Sequence, residues 1–239
     1  MSSHPTPALR TGTETPVPGI TTLPCGRVLV GISGSVLAAE ITSYLRALRS
    51  RLASEIVVFV TTSARQFVTL DMLKLYADDI VLADRPGRFR VPHIDGPDWA
   101  DVFAIVPASA NTLGKAANGI ADDLLSTAMV AADKPIFFAP AMNVRMWRSA
   151  PVRRNVQRLR EDGHYIVEPD VGLALSSGLA EGVAPTAEKV LSHLWHFRMR
   201  QLRDDYWDEA ISVAPRPPAA LTAATRTSLP LTVASGSGK

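Results

Sequence analysis

Thiol chemistry is nearly absent from this sequence, which carries one cysteine, Cys25, in 239 residues. A single cysteine excludes an intramolecular disulfide framework and any site built from several thiolates. It is consistent with a reducing, cytoplasmic setting. No apolar run approaches the roughly 20 residues that span a bilayer, so no membrane partner is expected. Charge of one sign is also scarce where it would count. The net charge is +2 and the isoelectric point about 8.8. Residues 210–239 alone carry +3 and residues 1–26 carry none, which leaves −1 on residues 27–209. A nucleic-acid partner calls for a basic face on the folded part, and the composition gives no sign of one.

The chain as a whole is 46% hydrophobic and 20% charged, an ordinary globular mixture. Proline marks where the globule lies. Half of the 18 prolines fall in the first 26 and last 30 residues, stretches that also lack apolar periodicity. The expected organisation is a flexible N-terminal extension over residues 1–26, one folded domain over 27–209 and a flexible C-terminal tail over 210–239. The first residues show no evident targeting pattern.

Inside these limits, short β-branched runs alternate with helical periodicity. Arg27–Ile32, Glu55–Val60, Asp101–Val106 and Pro135–Ala139 have the length of buried strands, with Tyr165–Val167 as a fifth. Val36, Leu37, Ile41, Tyr44, Leu45, Leu48 and Leu52 are spaced as one helix face. Leu113, Ala116, Ala117, Ile120, Leu124, Leu125 and Ala128 read as another, and a last helix is expected over roughly Thr186–Asp205. This alternation predicts an α/β fold with a doubly wound parallel sheet, Rossmann-like in its winding. Ligands of such sheets bind beyond the carboxyl ends of the strands.

Four of those ends carry small and hydroxylic residues. The first strand runs into Ser33-Gly34-Ser35, the second into Thr61-Thr62-Ser63, and the third into Pro107-Ala108-Ser109-Ala110-Asn111-Thr112. The fourth ends in Pro140-Ala141-Met142-Asn143, followed by Met146-Trp147. Each loop read singly serves equally well as a helix cap. Together at one edge they favour a phosphate-bearing cofactor lying across the sheet.

Of the five histidines, His4 lies in the N-terminal extension and His164 reads as structural. His193 and His196 sit three apart on the last helix, with no acid or cysteine cluster to complete a metal site, so no metal is expected. His93 is read in a loop between Pro92 and a short turn, just before the third strand, and is a candidate acid–base group.

Several segments resemble one family. Val30-Gly31-Ile32-Ser33-Gly34-Ser35 is similar to its V-G-V-T-G-S, and His93-Ile94-Asp95 with Trp99-Ala100-Asp101 to its H-I-D-L-x-x-W-A-D. Pro107–Thr112 resembles its P-x-S-A-N-T loop, and Pro140–Trp147 its P-A-M-N-x-x-M-W. These are motifs of the homo-oligomeric flavin-containing cysteine decarboxylases. That family includes 4'-phosphopantothenoylcysteine decarboxylase and the peptidyl-cysteine decarboxylases of ribosomal peptide natural products. The resemblance covers roughly residues 27–190. It implies a flavoprotein fold with FMN held near Ser33, Gly34, Ser35, Thr61, Ser109, Ala110, Asn111 and Thr112. It implies His93 as catalytic base, and Asn143 orienting the substrate carboxylate with Met142 and Met146 nearby. Sites shared between subunits of a homo-oligomer, a trimer or an assembly of trimers, are implied as well. So is oxidation of the substrate cysteine toward a thioaldehyde, which lets CO2 leave and gives an enethiol.

One departure separates the subfamilies. The coenzyme A enzymes reduce the enethiol onward to a thiol, and the family places a cysteine on a flap for that half-reaction. The corresponding stretch here, Gly172–Gly182, contains serines and no cysteine. The expectation is therefore a reaction that stops at the aminoenethiol, on a precursor peptide with a C-terminal cysteine. The alternatives are a 4'-phosphopantothenoylcysteine decarboxylase and a non-catalytic flavin-binding regulatory subunit.

Overall fold

The computed structural model describes residues 23–173 and 181–213. By the density of its internal contacts the chain divides into two compact units, residues 1–200 and 201–239. The first holds both sheets. Of the second, the described part is helical, Gln201–Val213.

The main sheet is built from β1 (Cys25–Ile32), β2 (Ala53–Val60), β3 (Asp79–Val81), β4 (Val102–Ala108), β5 (Ile136–Pro140) and β7 (Tyr165–Ile166). They lie in the order β3-β2-β1-β4-β5-β7, and every pairing is parallel. β6 (Met142–Asn143), β8 (Asp170–Leu173) and β9 (Glu181–Ala184) form a second, antiparallel sheet in the order β6-β9-β8.

Period-two alternation puts each strand's side chains on two faces. Val28, Val30 and Ile32 of β1 join one core with Ile41, Tyr44, Leu45 and Leu48 of α1 (Ile41–Arg51) and with Val190, Leu191 and Leu194 of α8 (Ala187–Val213). Leu29 of β1 joins the opposite core. That core is completed by Leu113 of α4 (Ala110–Ala117), by Leu125, Ala128 and Met129 of α5 (Leu124–Ala131), and by Val152, Val156 and Leu159 of α7 (Ala150–Glu161). Helices on both faces of a parallel sheet are the expected doubly wound arrangement. Burial of each large side chain contributes about 1.5–3 kcal/mol, so the two cores together fix the sheet on which the loops stand.

Four expectations are corrected. Cys25 and Gly26 open β1 rather than ending an extension, because Cys25 is fully buried and its amide donates to Leu52 O (2.9 Å). The last helix runs through residues 210–213, into the expected tail. The single helix face read from Leu113 to Ala128 is two helices. Gly119 takes a left-handed conformation (φ 64°), Ile120 is 46% exposed, and Asp123 starts α5 with a capping box to Ser126. The fourth correction concerns His93, which stands in a helix, α3 (Pro92–Trp99), and not in a loop. The remaining extension and tail residues, 1–22 and 214–239, lie outside the described residues, as does most of the expected flap, 174–180. Among the described residues no helix is long and apolar enough to cross a membrane.

Candidate active site

The chain leaves β1 toward β2 and leaves β4 toward β5, so the strand order reverses between β1 and β4. A crevice must open there at the carboxyl ends. Its walls are the loop Ser33–Ser35, which enters a short 3-10 turn at Val36–Glu40, and the end of β4 from Pro107 through Ser109, which enters α4.

Ser33 ties these walls together. Its buried hydroxyl donates to Pro107 O (2.7 Å) and accepts from the Ser109 amide (2.9 Å). The hydroxyl proton is therefore committed inside the protein, and Ser33 acts here as a brace. Ser33→Ala leaves the part-buried Ser109 amide without its acceptor, while Pro107 O keeps the bond from the Ser33 amide (3.3 Å). It is expected to lower stability by about 1 kcal/mol, read as a lower urea midpoint at unchanged m-value.

Above the brace the groups are freer. Ser35 is half-buried, and among the described residues its hydroxyl makes only a long bond to Ala141 O (3.3 Å). Ser109 caps α4 by accepting from the Thr112 amide (3.2 Å) and pairs with the Thr112 hydroxyl (3.0 Å). The amides of Ala110 and Asn111, first in that helix, have no intrahelical acceptor. Beyond β2, the Thr61 hydroxyl reaches Ile32 O (3.2 Å) and the Ser63 hydroxyl (3.2 Å). Ser63 packs so closely on Gly34 that a Cβ there would lie 2.6 Å from the Ser63 Cβ. Ser63 belongs to the same loop cluster, although its sequence signal, a third hydroxyl after Thr61-Thr62, does not mark it out.

Past β5, Ala141 is pinned by its amide to Ala108 O (3.0 Å). Met142 and Asn143 then pair with Val183 and Gly182 of β9, so the hairpin β8–β9 is seated on the Asn143 segment. Asn143 is the N-cap of α6 (Val144–Arg148), and its Oδ1 accepts from the Arg145 amide (2.8 Å). Met146 is 48% exposed on the same short helix.

His93 arrives from the α3–α5 face. Asp101, just after α3, donates its amide to Arg27 O near the start of β1 (2.9 Å). Gly96 lies against Phe59, the penultimate residue of β2, so closely that a Cβ would come 2.5 Å from the ring. The helix thus runs against the strands, and one further turn sets His93 at the carboxyl edge. Pro92 opens the helix, Asp95 Oδ2 accepts from the Val91 amide (2.7 Å), and Lys134 Nζ binds Ala100 O (2.8 Å) beyond its far end. His93 is half-exposed and has no hydrogen bond to any described residue. α3 packs on β1 and β2, whereas Asn143 follows β5, two to three strands across the sheet and so about 10–14 Å away at the usual strand spacing.

The other histidines are elsewhere. His164 Nδ1 accepts from the Ile136 amide (3.2 Å), and burial pushes its pKa down. His193 Nδ1 and His196 Nδ1 bond to Lys189 O (2.8 Å) and Ser192 O (2.7 Å) on α8. Both histidines line a cavity of about 200 Å³ beside Phe137 and Tyr165. Among the described residues no three His, Cys, Asp or Glu side chains gather as a metal site. Cys25 is at the opposite, amino edge of the sheet, where burial and the Asp101 carboxylate push its thiol up to about 11.

Fold and loops together define a doubly wound α/β protein with hydroxyls and helix-start amides gathered at its switch point. Within that class the chain belongs to the Flavoprotein family, whose sequence profile matches residues 21–198. It is 36% identical over 143 residues to the mersacidin decarboxylase of Bacillus sp., covering 60% of this chain and 73% of that protein. It is 35% identical over 173 residues to the coenzyme A biosynthesis bifunctional protein CoaBC of Bacillus subtilis. That match takes in 69% of this chain and 41% of CoaBC, so this chain spans under half of the bifunctional protein. Among solved structures, the FMN-dependent cysteine decarboxylase SpaF superposes with a TM-score of 0.61 at 33% identity, over 73% of this chain and 97% of that one.

Proposed function

We propose that this protein is an FMN-dependent decarboxylase that converts the C-terminal cysteine of a precursor peptide into an aminoenethiol. The observation that carries the choice of product is the position of its thiol. The sequence has no cysteine in Gly172–Gly182, and Cys25 is buried at the far edge of the sheet with a raised pKa. No thiol of this chain is therefore placed to complete a reduction of the enethiol.

The donor set suits FMN. No acidic side chain occurs in residues 31–37, 61–64, 107–112 or 140–144, so nothing in these loops repels a phosphate. Ser35, Thr61, Ser109 and Thr112, with the leading amides at Ala110 and Asn111, would hold the cofactor, Ser33 bracing the loops between them, and Gly34 keeps the loop close to Ser63. Bound FMN supplies the two-electron acceptor for oxidation of the cysteine side chain. Asn143 uses its Nδ2, unengaged among the described residues, to donate to the substrate carboxylate, flanked by Met142 and Met146. His93, with neither ring nitrogen engaged by the described protein, takes the proton from the substrate sulfur. Because His93 and Asn143 stand apart across one sheet, the site is completed between subunits of a homo-oligomer.

Purified protein with FMN is expected to remove about 46 Da, the mass of CO2 plus two hydrogens, from a peptide ending in cysteine. An unchanged peptide mass overturns the proposal. The length of the match to CoaBC favours a second reading, decarboxylation of 4'-phosphopantothenoylcysteine. Formation of the saturated thiol from that substrate, in preference to peptide turnover, would establish it instead.

A further inference from the structure

We propose that the arginine-rich corner made by α6 and the first turns of α7 binds an acidic stretch of the peptide substrate, a few residues upstream of its C-terminal cysteine. The inference rests on the peptide reading above and extends it to the part of the substrate that does not react.

Residues 144–160 contain six arginines and no acid. Arg160 pairs with Glu168, and Arg158 reaches Asn118 Oδ1 (3.4 Å). The other four, Arg145, Arg148, Arg153 and Arg154, are exposed and form no ion pair among the described residues. The Arg153 guanidinium lies over the Trp147 ring (5.3 Å to the centroid), which holds it in place without neutralising it. Four like charges, none of them in an ion pair among the described residues, thus fall within ten residues of sequence. An anionic partner relieves their mutual repulsion.

Position selects the partner. Arg145 follows Asn143 by two residues, and the chain from Asn143 to Arg154 is helical except around Ser149, so all four arginines lie within about 20 Å of Asn143. An extended peptide covers that distance in about six residues. A substrate anchored by its terminal carboxylate near Asn143 therefore has this corner within reach of its upstream residues. Exposed Met146, between two of the arginines, offers apolar contact for the intervening side chains. The patch is one corner of a domain whose net charge over residues 27–209 is −1. A nucleic acid needs a basic face along its whole path, and so is disfavoured.

The test measures binding apart from turnover. FMN-loaded full-length protein is titrated into fluorescent peptides that end in serine instead of cysteine, with upstream residues either Glu/Asp or the matching Gln/Asn, and anisotropy is read. The acidic peptide is expected to bind about tenfold more tightly than the neutral one, two- to threefold for each of several exposed contacts. Arg148→Gln/Arg153→Gln/Arg154→Gln removes that preference, and the corresponding triple Lys variant restores most of it. Flavin absorbance and oligomeric mass matching the unmodified protein show that the variants are folded. Salt on the unmodified protein gives an independent reading, since raising it should weaken only the acidic peptide. Equal binding of the two peptides overturns the inference, as does tighter binding of a single-stranded oligonucleotide at the same salt. Charge-dependent binding without loss of mass from the cysteine-ended peptide sinks the decarboxylase reading while leaving this surface in place.

Discussion

His93→Asn is expected to leave the purified protein folded and yellow while lowering turnover of a cysteine-ended peptide about 1000-fold. A positioned general base contributes roughly 100- to 10,000-fold to a rate, and asparagine keeps a polar group near the Nδ1 position while removing the basic ring. The surroundings make the substitution selective. The His93 side chain has no hydrogen bond to the described protein, so none is lost from the fold on substitution. The helix around it is secured by other groups, namely Pro92, the Asp95 carboxylate on the Val91 amide, and Gly96 against Phe59. Loss of stability or of cofactor is therefore not the route by which activity falls. Single-turnover mass spectrometry gives the rate, and the flavin absorbance spectrum reports cofactor content. A rate within a few-fold of the unmodified protein, at equal flavin content, removes His93 from the proposed role.

The strands of the main sheet were readable because their residues are apolar on both faces, and the cradle loops because each begins where such a run ends. The run at Glu55–Val60 predicts β2 to within two residues of its observed span, Ala53–Val60. Structure made by distant partners or by very short signals is not legible in the sequence. β3 has three residues, and β8 and β9 are short and glycine-containing, with pairing set by Met142 and Asn143 some 40 residues away in sequence. The break between α4 and α5 was in fact written in the chain, as Asn118-Gly119 and the Asp123…Ser126 box. The apolar residues on either side continue the same helical spacing and masked it. His93 looked like a loop residue because Gly96 and Pro97 both argue against a helix. Close packing of Gly96 on Phe59 is the tertiary gain that overrides that local preference. The roles of Ser33 and Asn143 needed geometry, since composition alone does not tell a brace or a cap from a ligand.

Asn143→Asp separates the two duties of that residue. In the structure Oδ1 is occupied, because it accepts from the Arg145 amide and starts α6, so Nδ2 is the end left to donate. Aspartate caps a helix as well as asparagine does, so α6 and the paired β9 should keep their places. What changes is the other end, where an N–H donor becomes a second carboxylate facing the substrate's own. Losing a hydrogen bond to a charged group costs about 1.5–3 kcal/mol, and the added like-charge contact brings the total to about 3–4 kcal/mol, or roughly 100- to 1000-fold in kcat/KM. Asn143→Ala loses the cap as well, and should show a lower unfolding midpoint that the Asp variant does not share. Peptide turnover in Asn143→Asp within a few-fold of the unmodified rate means that the substrate carboxylate is bound elsewhere. Co-expressing this variant with His93→Asn then tests the shared site. If each site takes His93 from one subunit and Asn143 from another, mixed oligomers regain about a quarter of the activity by random assembly. If both residues serve within one chain, the mixture stays as inactive as its parents.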